Sequence, residues 1–84
     1  MISVIILTYN DEVQIGGCLD SIRDLADDVI IIDSYSGDRT LEICREYGAR
    51  IYQNPFVNQA VQFNWGLDNV PIKHDWILRL DSDE

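Results

Sequence analysis

The stretch Ile2–Leu7 reads ISVIIL and is a largely β-branched, apolar run that only Ser3 interrupts. A continuous run of this kind is typical of a strand that is covered on both faces, as in a parallel sheet. Polar residues follow at Thr8–Glu12, and apolar residues then recur at helical spacing up to residue 26. The opening therefore predicts a buried strand, a polar loop and an amphipathic helix.

The same alternation continues to the end of the chain. Strand-like segments occupy Val29–Ile32, Arg50–Gln53 and Asp75–Leu80, and segments with helical periodicity end at Gly48 and Pro71. Strands that alternate with helices of this length indicate right-handed βαβ units and a mostly parallel sheet. We predict an α/β fold with the order β-α-β-α-β-α-β.

The composition fits one small globular domain covering residues 1–84, with 46% hydrophobic and 25% charged residues. The net charge of −9 argues against nucleic acid and anionic membranes as main partners, since both require a basic patch. No apolar run approaches the roughly 18 residues of a membrane span, and the start lacks the pattern of a signal peptide. Cys18 and Cys44 are interpreted as buried, reduced thiols, although a disulfide stays open. We expect a cytoplasmic location.

Polar side chains follow three of the predicted strands at the point where each ends. Thr8–Asn10 follow the first strand, Asp33 and Ser34 the second, and Asp81–Asp83 the fourth. In an open α/β sheet, ligands bind beyond the carboxyl ends of the strands. We therefore expect these groups to gather at one edge of the sheet.

The acidic residues at this edge have two interpretations each. Asp81 and Asp83 are two positions apart on extended chain, so they can present oxygen ligands on one side to Mg²⁺, Mn²⁺ or Ca²⁺; alternatively they form a solvated acidic end. Asp33 can accept hydrogen bonds from a nucleoside base or ribose, or it can cap a nearby loop. Asn64, on the third helix, is either a ligand contact or an exposed amide.

Four segments, taken in order, resemble the family 2 glycosyltransferases of the GT-A fold. They are VIILTYNDE from residue 4, VIIIDSYSGDRTLEICREYGAR from residue 29, NQAVQFNWGLD from residue 58 and DWILRLDSDE from residue 75. The Asp-Ser pair that ends the second strand is similar to the lipopolysaccharide core β-glucosyltransferase-like branch of the family. The resemblance implies a partial GT-A fold, a Rossmann-like three-layer sandwich.

The resemblance also implies roles for individual residues. The first turn lines the nucleotide pocket, Asp33 contacts the uridine moiety, Asp81 lies near the ribose and the metal, and Asp83 binds Mn²⁺ or Mg²⁺ on the diphosphate. The implied substrate-binding residues are Thr8, Tyr9, Glu12, Asp33, Ser34, Asn64 and Asp81, and the implied metal ligands are Asp83 and Asp81.

The resemblance implies an enzyme that transfers a sugar with inversion from a nucleotide sugar, and we expect a UDP-sugar as this donor. The implied acceptor is a saccharide or a lipid-linked molecule. The implied role is cell-envelope polysaccharide or lipopolysaccharide synthesis. Members of the family place the acceptor site and the catalytic base beyond the segment that matches here. We therefore expect the donor-binding half of an enzyme, inactive alone. The alternative is a fragment that binds nothing useful and self-associates through an exposed sheet edge. A phosphotransfer site is disfavoured because no phosphate-binding glycine loop follows the first strand.

Overall fold

The computed structural model of the chain describes residues 2–56, 58–71 and 76–81, with positions 76 and 81 described by their backbone. Strands and helices alternate through the whole of it. The strands are β1 (Ile2–Thr8), β2 (Asp28–Asp33), β3 (Arg50–Gln53) and β4 (Trp76–Asp81), and the helices are α1 (Ile15–Ile22), α2 (Thr40–Glu46) and α3 (Gln59–Asn69).

The four described strands form one parallel sheet in the order β3-β2-β1-β4. The register places Thr8 opposite Asp33 and Leu7 opposite Asp81, while Gln53 of β3 lies opposite Asp33 on the other side of β2. The carboxyl ends of all four strands therefore meet at one edge, which we call the carboxyl edge. The predicted α/β fold and element order are confirmed.

The sheet carries helices on both faces. Successive residues of a strand point to opposite faces, and the buried side chains of β1 and β2 accordingly divide into two clusters. One cluster packs against α1 and α2 and contains Val4, Ile6, Ile15, Cys18, Leu19, Ile22, Ile31 and Cys44. The other lies on the α3 side and contains Ile5, Ile30, Ile32 and Val70. The predicted three-layer sandwich is thus observed.

Both cysteines are buried as thiols in the first cluster, in agreement with the expected reduced thiols. Burial raises the pKa of the Cys44 thiol to about 12, and the negative charge of Asp33 adds to the effect. Among the described helices, none is long and apolar enough to cross a membrane.

Helix α3 packs through only part of the face that its apolar residues predict. The pattern favours a core face of Ala60, Phe63, Leu67 and Val70; Val70 is buried and Phe63 packs against the second cluster, but Ala60 is exposed and Leu67 is 39% exposed. Within the helix the buried residues are Gln62 and Gly66. Because a Cβ at Gly66 would lie 2.2 Å from Ile32 Cδ1, the glycine lets α3 approach β2 closely.

A salt bridge fixes the opposite, amino edge of the sheet. Arg50 lies 2.6 Å and 3.1 Å from the two carboxylate oxygens of Asp28, and it also donates to the carbonyl oxygen of Pro71 at 2.7 Å. The hydrogen bond to Asp28 is the main cause of a raised pKa at Arg50. The Arg50–Asp28 pair therefore links β2, β3 and the segment after α3.

Candidate functional site at the carboxyl edge

The carboxylate of Asp33, at the end of β2, is fully buried and bound within the chain. Its Oδ1 accepts hydrogen bonds from Thr8 Oγ1 at 2.6 Å and from Ser36 Oγ at 2.5 Å, while Oδ2 accepts from the Ser36 backbone N–H at 2.8 Å. Each oxygen therefore already has a partner, as a buried carboxylate requires. The loop-capping alternative is what the structure shows, and a direct contact of Asp33 with a nucleoside stays a prediction.

The loops after β1 and β2 are tied to one another through Asn10. Its backbone N–H donates to Ser36 Oγ at 2.8 Å, and its Oδ1 accepts from the Gly37 N–H at 2.8 Å. Asn10 has φ 49° and Tyr35 has φ 57°, so both adopt the left-handed region. Asn tolerates this region, whereas it strains a bulky residue such as Tyr35. The strained turn is held in place by hydrogen bonds of two neighbouring backbone groups: the Tyr35 N–H donates to Gln53 Oε1 and the Ser36 N–H donates to Asp33 Oδ2.

Asp38 joins the first loop to the start of α2. One of its oxygens accepts from the Thr40 N–H at 3.0 Å and from the Thr40 hydroxyl, and the other accepts from the Glu12 N–H at 3.2 Å. Burial works to raise the pKa of Asp38, but the hydrogen bonds from Thr40 and Glu12 outweigh it and hold the pKa below its ordinary value. The ionised carboxylate thus anchors the segment that contains Glu12.

Gln62 connects α3 to the loops that follow β2 and β3. The side chain is 1% exposed, and its Nε2 donates to Ser34 Oγ at 3.0 Å and to the Asn54 carbonyl oxygen at 3.1 Å. Its Oε1 accepts from Asn54 Nδ2 at 2.8 Å. The sequence reasoning missed this residue. Its position four residues before Gly66, on the same helix face, is the signal that identifies it.

A cleft of about 430 Å³ opens beside this network and is lined by Tyr9, Ser34 and Phe56. Tyr9 is 60% exposed and Phe56 is 53% exposed, whereas Ser34 is only 8% exposed. The volume lies in the range of about 300–1,000 Å³ that is usual for small-molecule sites. Two aromatic rings with one polar group between the loops can accommodate a flat heterocycle. Phe56 was not among the predicted site residues.

The remaining predicted residues lie at different distances from this cleft. Thr8 is buried behind it through its bond to Asp33, and Glu12 is exposed on the neighbouring loop. Asn64 is exposed on α3, two positions from the buried Gln62 and so on nearly the opposite side of the helix. The described lining of the cleft includes neither Glu12 nor Asn64. Their roles as substrate contacts stay predictions.

The expected metal ligands are described only in part. The backbone of Asp81 ends β4 opposite Leu7, beside Thr8 at the carboxyl edge, and Asp83 lies outside the described residues. Within the described ranges, no group of three or more His, Cys, Asp or Glu residues is arranged to hold a metal ion. The roles of Asp81 and Asp83 as metal ligands stay predictions.

A family model described as "Glycosyl transferase family 2" matches residues 3–84. The chain belongs to glycosyltransferase family 2. A glycosyltransferase from Rickettsia bellii, described as uncharacterized, is 35% identical over 83 residues, which are 99% of this chain and 28% of that protein. The chain therefore spans less than a third of this relative's length.

Several solved structures share the fold. A crystal structure of Mycobacterium tuberculosis glucosyl-3-phosphoglycerate synthase is 27% identical with a TM-score of 0.80, covering 100% of this chain and 35% of that one. Another crystal structure of that enzyme contains Mn²⁺ and UDP-glucose; it is 28% identical with a TM-score of 0.78, covering 99% of this chain and 33% of that one. The matched part of this family 2 chain is thus about a third of the synthase.

Proposed function

We propose that this chain binds the nucleotide-diphospho-sugar donor and the divalent metal of an inverting glycosyltransferase. The observation that carries the proposal is the convergence of three strand ends at the carboxyl edge, where the cleft lies beside the Thr8–Asp33 pair and the end of β4 at Asp81. The crystal structure of the synthase with Mn²⁺ and UDP-glucose supports it, since that enzyme shares the fold and is 28% identical over 99% of this chain.

Different residues of the chain would bind the nucleoside base and the metal ion on the diphosphate. Tyr9 and Phe56 offer aromatic surface to a nucleoside base, and the bonds of Asp33 hold the turn around it. Asp81 and Asp83 would hold Mn²⁺ or Mg²⁺. When bound, such an ion neutralises negative charge on the departing nucleoside diphosphate.

Further parts of the proposal concern the whole protein. We propose a UDP-sugar donor, a saccharide or lipid-linked acceptor hydroxyl, a cytoplasmic location and a role in cell-envelope polysaccharide or lipopolysaccharide synthesis. The Asp33-Ser34 pair supports the role in lipopolysaccharide synthesis, because it is similar to the lipopolysaccharide core β-glucosyltransferase-like branch of the family. The reduced cysteines support the cytoplasmic location. The base that deprotonates the acceptor is proposed to lie in the part of the enzyme that this chain does not include.

The test is a titration of isotope-labelled chain with UDP, with and without Mn²⁺, followed by amide NMR. We expect saturable UDP-dependent shifts around residues 8–12 and 33–36, and paramagnetic broadening around residues 81–84. The Asp83→Ala variant should lose the broadening, whereas Asp68→Ala, at an exposed position of α3, should keep it. Broadening that is unchanged in Asp83→Ala would contradict the proposed metal ligand.

One observation favours the alternative of a self-associating chain without useful ligand binding. Among the described strands β4 pairs with β1 alone, and its Ile77 and Leu78 are 38% and 37% exposed. A free apolar strand edge promotes association. Sedimentation velocity over a range of concentrations distinguishes the two: a monomer that binds UDP supports the donor site, and a dimer without saturable UDP binding supports the alternative.

A further inference from the structure

A second depression in the surface lies at the amino edge of the sheet. It is a groove of about 530 Å³ between the C-terminal ends of α1 and α2 and the start of β2, and we call it the amino-edge groove. Val29 in its wall and Asp33 at the carboxyl edge are four strand residues apart, which is about 13 Å. The described lining of the groove shares no residue with that of the cleft at the carboxyl edge.

The floor of the amino-edge groove is apolar. Leu19 is fully buried, and Ala26 and Val29 are half-buried side chains that pack against the first core cluster. The side chain of Tyr47 packs against the same cluster. The groove therefore offers apolar contact to an alkyl chain that enters it.

The rim of the groove carries two exposed carboxylates, Asp27 from the turn before β2 and Glu46 from the end of α2. One oxygen of Asp27 accepts from the Ile2 backbone N–H at 3.0 Å. Its other oxygen and the carboxylate of Glu46 have no hydrogen-bond or ion-pair partner among the residues that the structure describes. The C-terminal ends of two helices add partial negative charge, so the groove favours a cation.

The cation in the described lining, Arg23, is bound within the chain. Its guanidinium lies over the Tyr47 ring, 5.1 Å from the centroid, and donates to the Tyr47 hydroxyl at 2.9 Å and to Asp20 Oδ1 at 3.3 Å. The Tyr47 hydroxyl in turn donates to Asp20. Because Asp20 balances Arg23, the charges of Asp27 and Glu46 are left for a group from outside the chain.

We propose that the amino-edge groove docks a basic segment of a partner protein, one with arginine or lysine beside apolar residues. Arginine and lysine place an alkyl stem on apolar surface while the charged head stays at the rim. The net charge of −9 attracts such a partner and repels a second copy of the chain.

The shape of the groove favours a segment over a small molecule. Small-molecule sites enclose most of the ligand surface, whereas Arg23, Asp27 and Glu46 are all exposed and leave this groove open on one side. A docked segment covers an open groove with the rest of the partner. The inference does not rest on the proposed donor site.

The test is a titration of the isotope-labelled full chain with a capped peptide in which leucine and arginine alternate, followed by amide NMR. We expect saturable shifts at residues 19–29 and 46–48, and weaker binding as NaCl is raised from about 50 mM to about 300 mM. The same peptide with glutamate in place of arginine should give no saturable shifts. Arginine amide alone lacks the apolar neighbours and should bind at least about tenfold more weakly.

Glu46→Lys reverses one charge of the rim and should weaken peptide binding about tenfold. Asp68→Lys is the matched control, since it makes the same change of charge in the last turn of α3, on the other face of the sheet, and it should keep the affinity. Both variants place a cation near a helix C-terminus, which favours folding. Asp27→Asn retains an acceptor for the Ile2 N–H and should weaken binding about two- to fivefold.

Four outcomes would overturn the inference. They are equal losses in Glu46→Lys and Asp68→Lys, equal binding of arginine amide and the peptide, shifts located at the carboxyl edge, and no saturable shifts at all. The first would reduce the effect to net charge, and the second would make the groove a site for small cations. The UDP titration is read independently of all four, so the proposed donor site stands or falls separately.

Discussion

The hydroxyl of Thr8 lies 2.6 Å from the carboxylate of Asp33 and joins the ends of the two central strands, β1 and β2. Neither residue is exposed by more than 3%, so the bond is made in a site from which water is excluded. The loop after β2 takes its shape from the same carboxylate through Ser36. The geometry of the cleft therefore depends on this buried hydrogen bond.

Replacing Thr8 with Val should destabilise the chain without a large change in volume. The substitution removes the donor and leaves Asp33 buried with one partner fewer, which costs about 1–3 kcal/mol. Urea unfolding followed by circular dichroism measures the loss. Ser21→Ala, which removes an exposed hydroxyl that donates to the Cys18 carbonyl oxygen, should change the free energy of unfolding by no more than about 0.5 kcal/mol. Equal effects in the two variants would contradict the importance given to the Thr8–Asp33 bond.

Adding a methyl group at Gly66 should separate α3 from the sheet. Its Cβ would lie 2.2 Å from Ile32 Cδ1, which is buried, so overpacking should cost about 1–3 kcal/mol. Gly17→Ala adds the same group in α1, where no atom lies within 4 Å, and should stabilise by up to about 1 kcal/mol through helix propensity. Thermal unfolding measures the free energy of unfolding of both variants, and the difference between them gives the cost of the steric clash at Gly66. A Gly66→Ala chain as stable as Gly17→Ala would show that α3 does not pack this closely.

The charge of Asp38 should be stabilised by folding. Its pKa in the folded chain is held below the ordinary 3.8, so its contribution to stability is present above that value and is lost as the pH falls through the folded pKa. Carbon-13 NMR titration of the carboxyl groups measures the pKa directly. In Thr40→Val, which removes the side-chain donor, the pKa of Asp38 should move back toward 3.8. A midpoint that does not move would assign the shift to another cause.

The Cys44 thiol should make the chain less stable at alkaline pH. In the unfolded chain it ionises near the ordinary 9.0, whereas in the folded chain its pKa is about 12. Its contribution is therefore complete below pH 9.0 and is lost as the pH rises toward 12, with a slope of up to about 1.4 kcal/mol per pH unit. Urea unfolding between about pH 8 and pH 11 under reducing conditions should show this slope, relative to Cys44→Ala. Identical pH dependence in both chains would disprove it.

The strands and their common edge could be predicted from sequence because each depends on a local pattern. Apolar β-branched runs place β1 and β2 correctly to within one residue at each end, and Gly48 ends the segment after α2 with φ 80°, as a helix stop does. Parallel pairing then brings the strand ends together whatever the loops contain. This part of the site follows from the chain topology alone.

The contacts within the edge could not be predicted, because they depend on packing between distant segments. The apolar residues of α3 favour one face, yet the close approach at Gly66 turns Gln62 inward and leaves Asn64 exposed. For Asp33 the sequence leaves both a ligand contact and a loop cap open, and only the fold shows that Thr8 and Ser36 bind its oxygens. A polar residue's partners are fixed only when the tertiary structure brings them within hydrogen-bond distance.

The sheet order β3-β2-β1-β4 has a consequence for synthesis of the chain on the ribosome. Strand β1 is an inner strand of the described sheet, but one of its edges stays unpaired until β4 has been synthesised. The described residues that line or support the cleft, from Tyr9 to Gln62, are all translated before β4. A nascent chain can thus form these contacts first and add β4, with Asp81 at its end, afterwards.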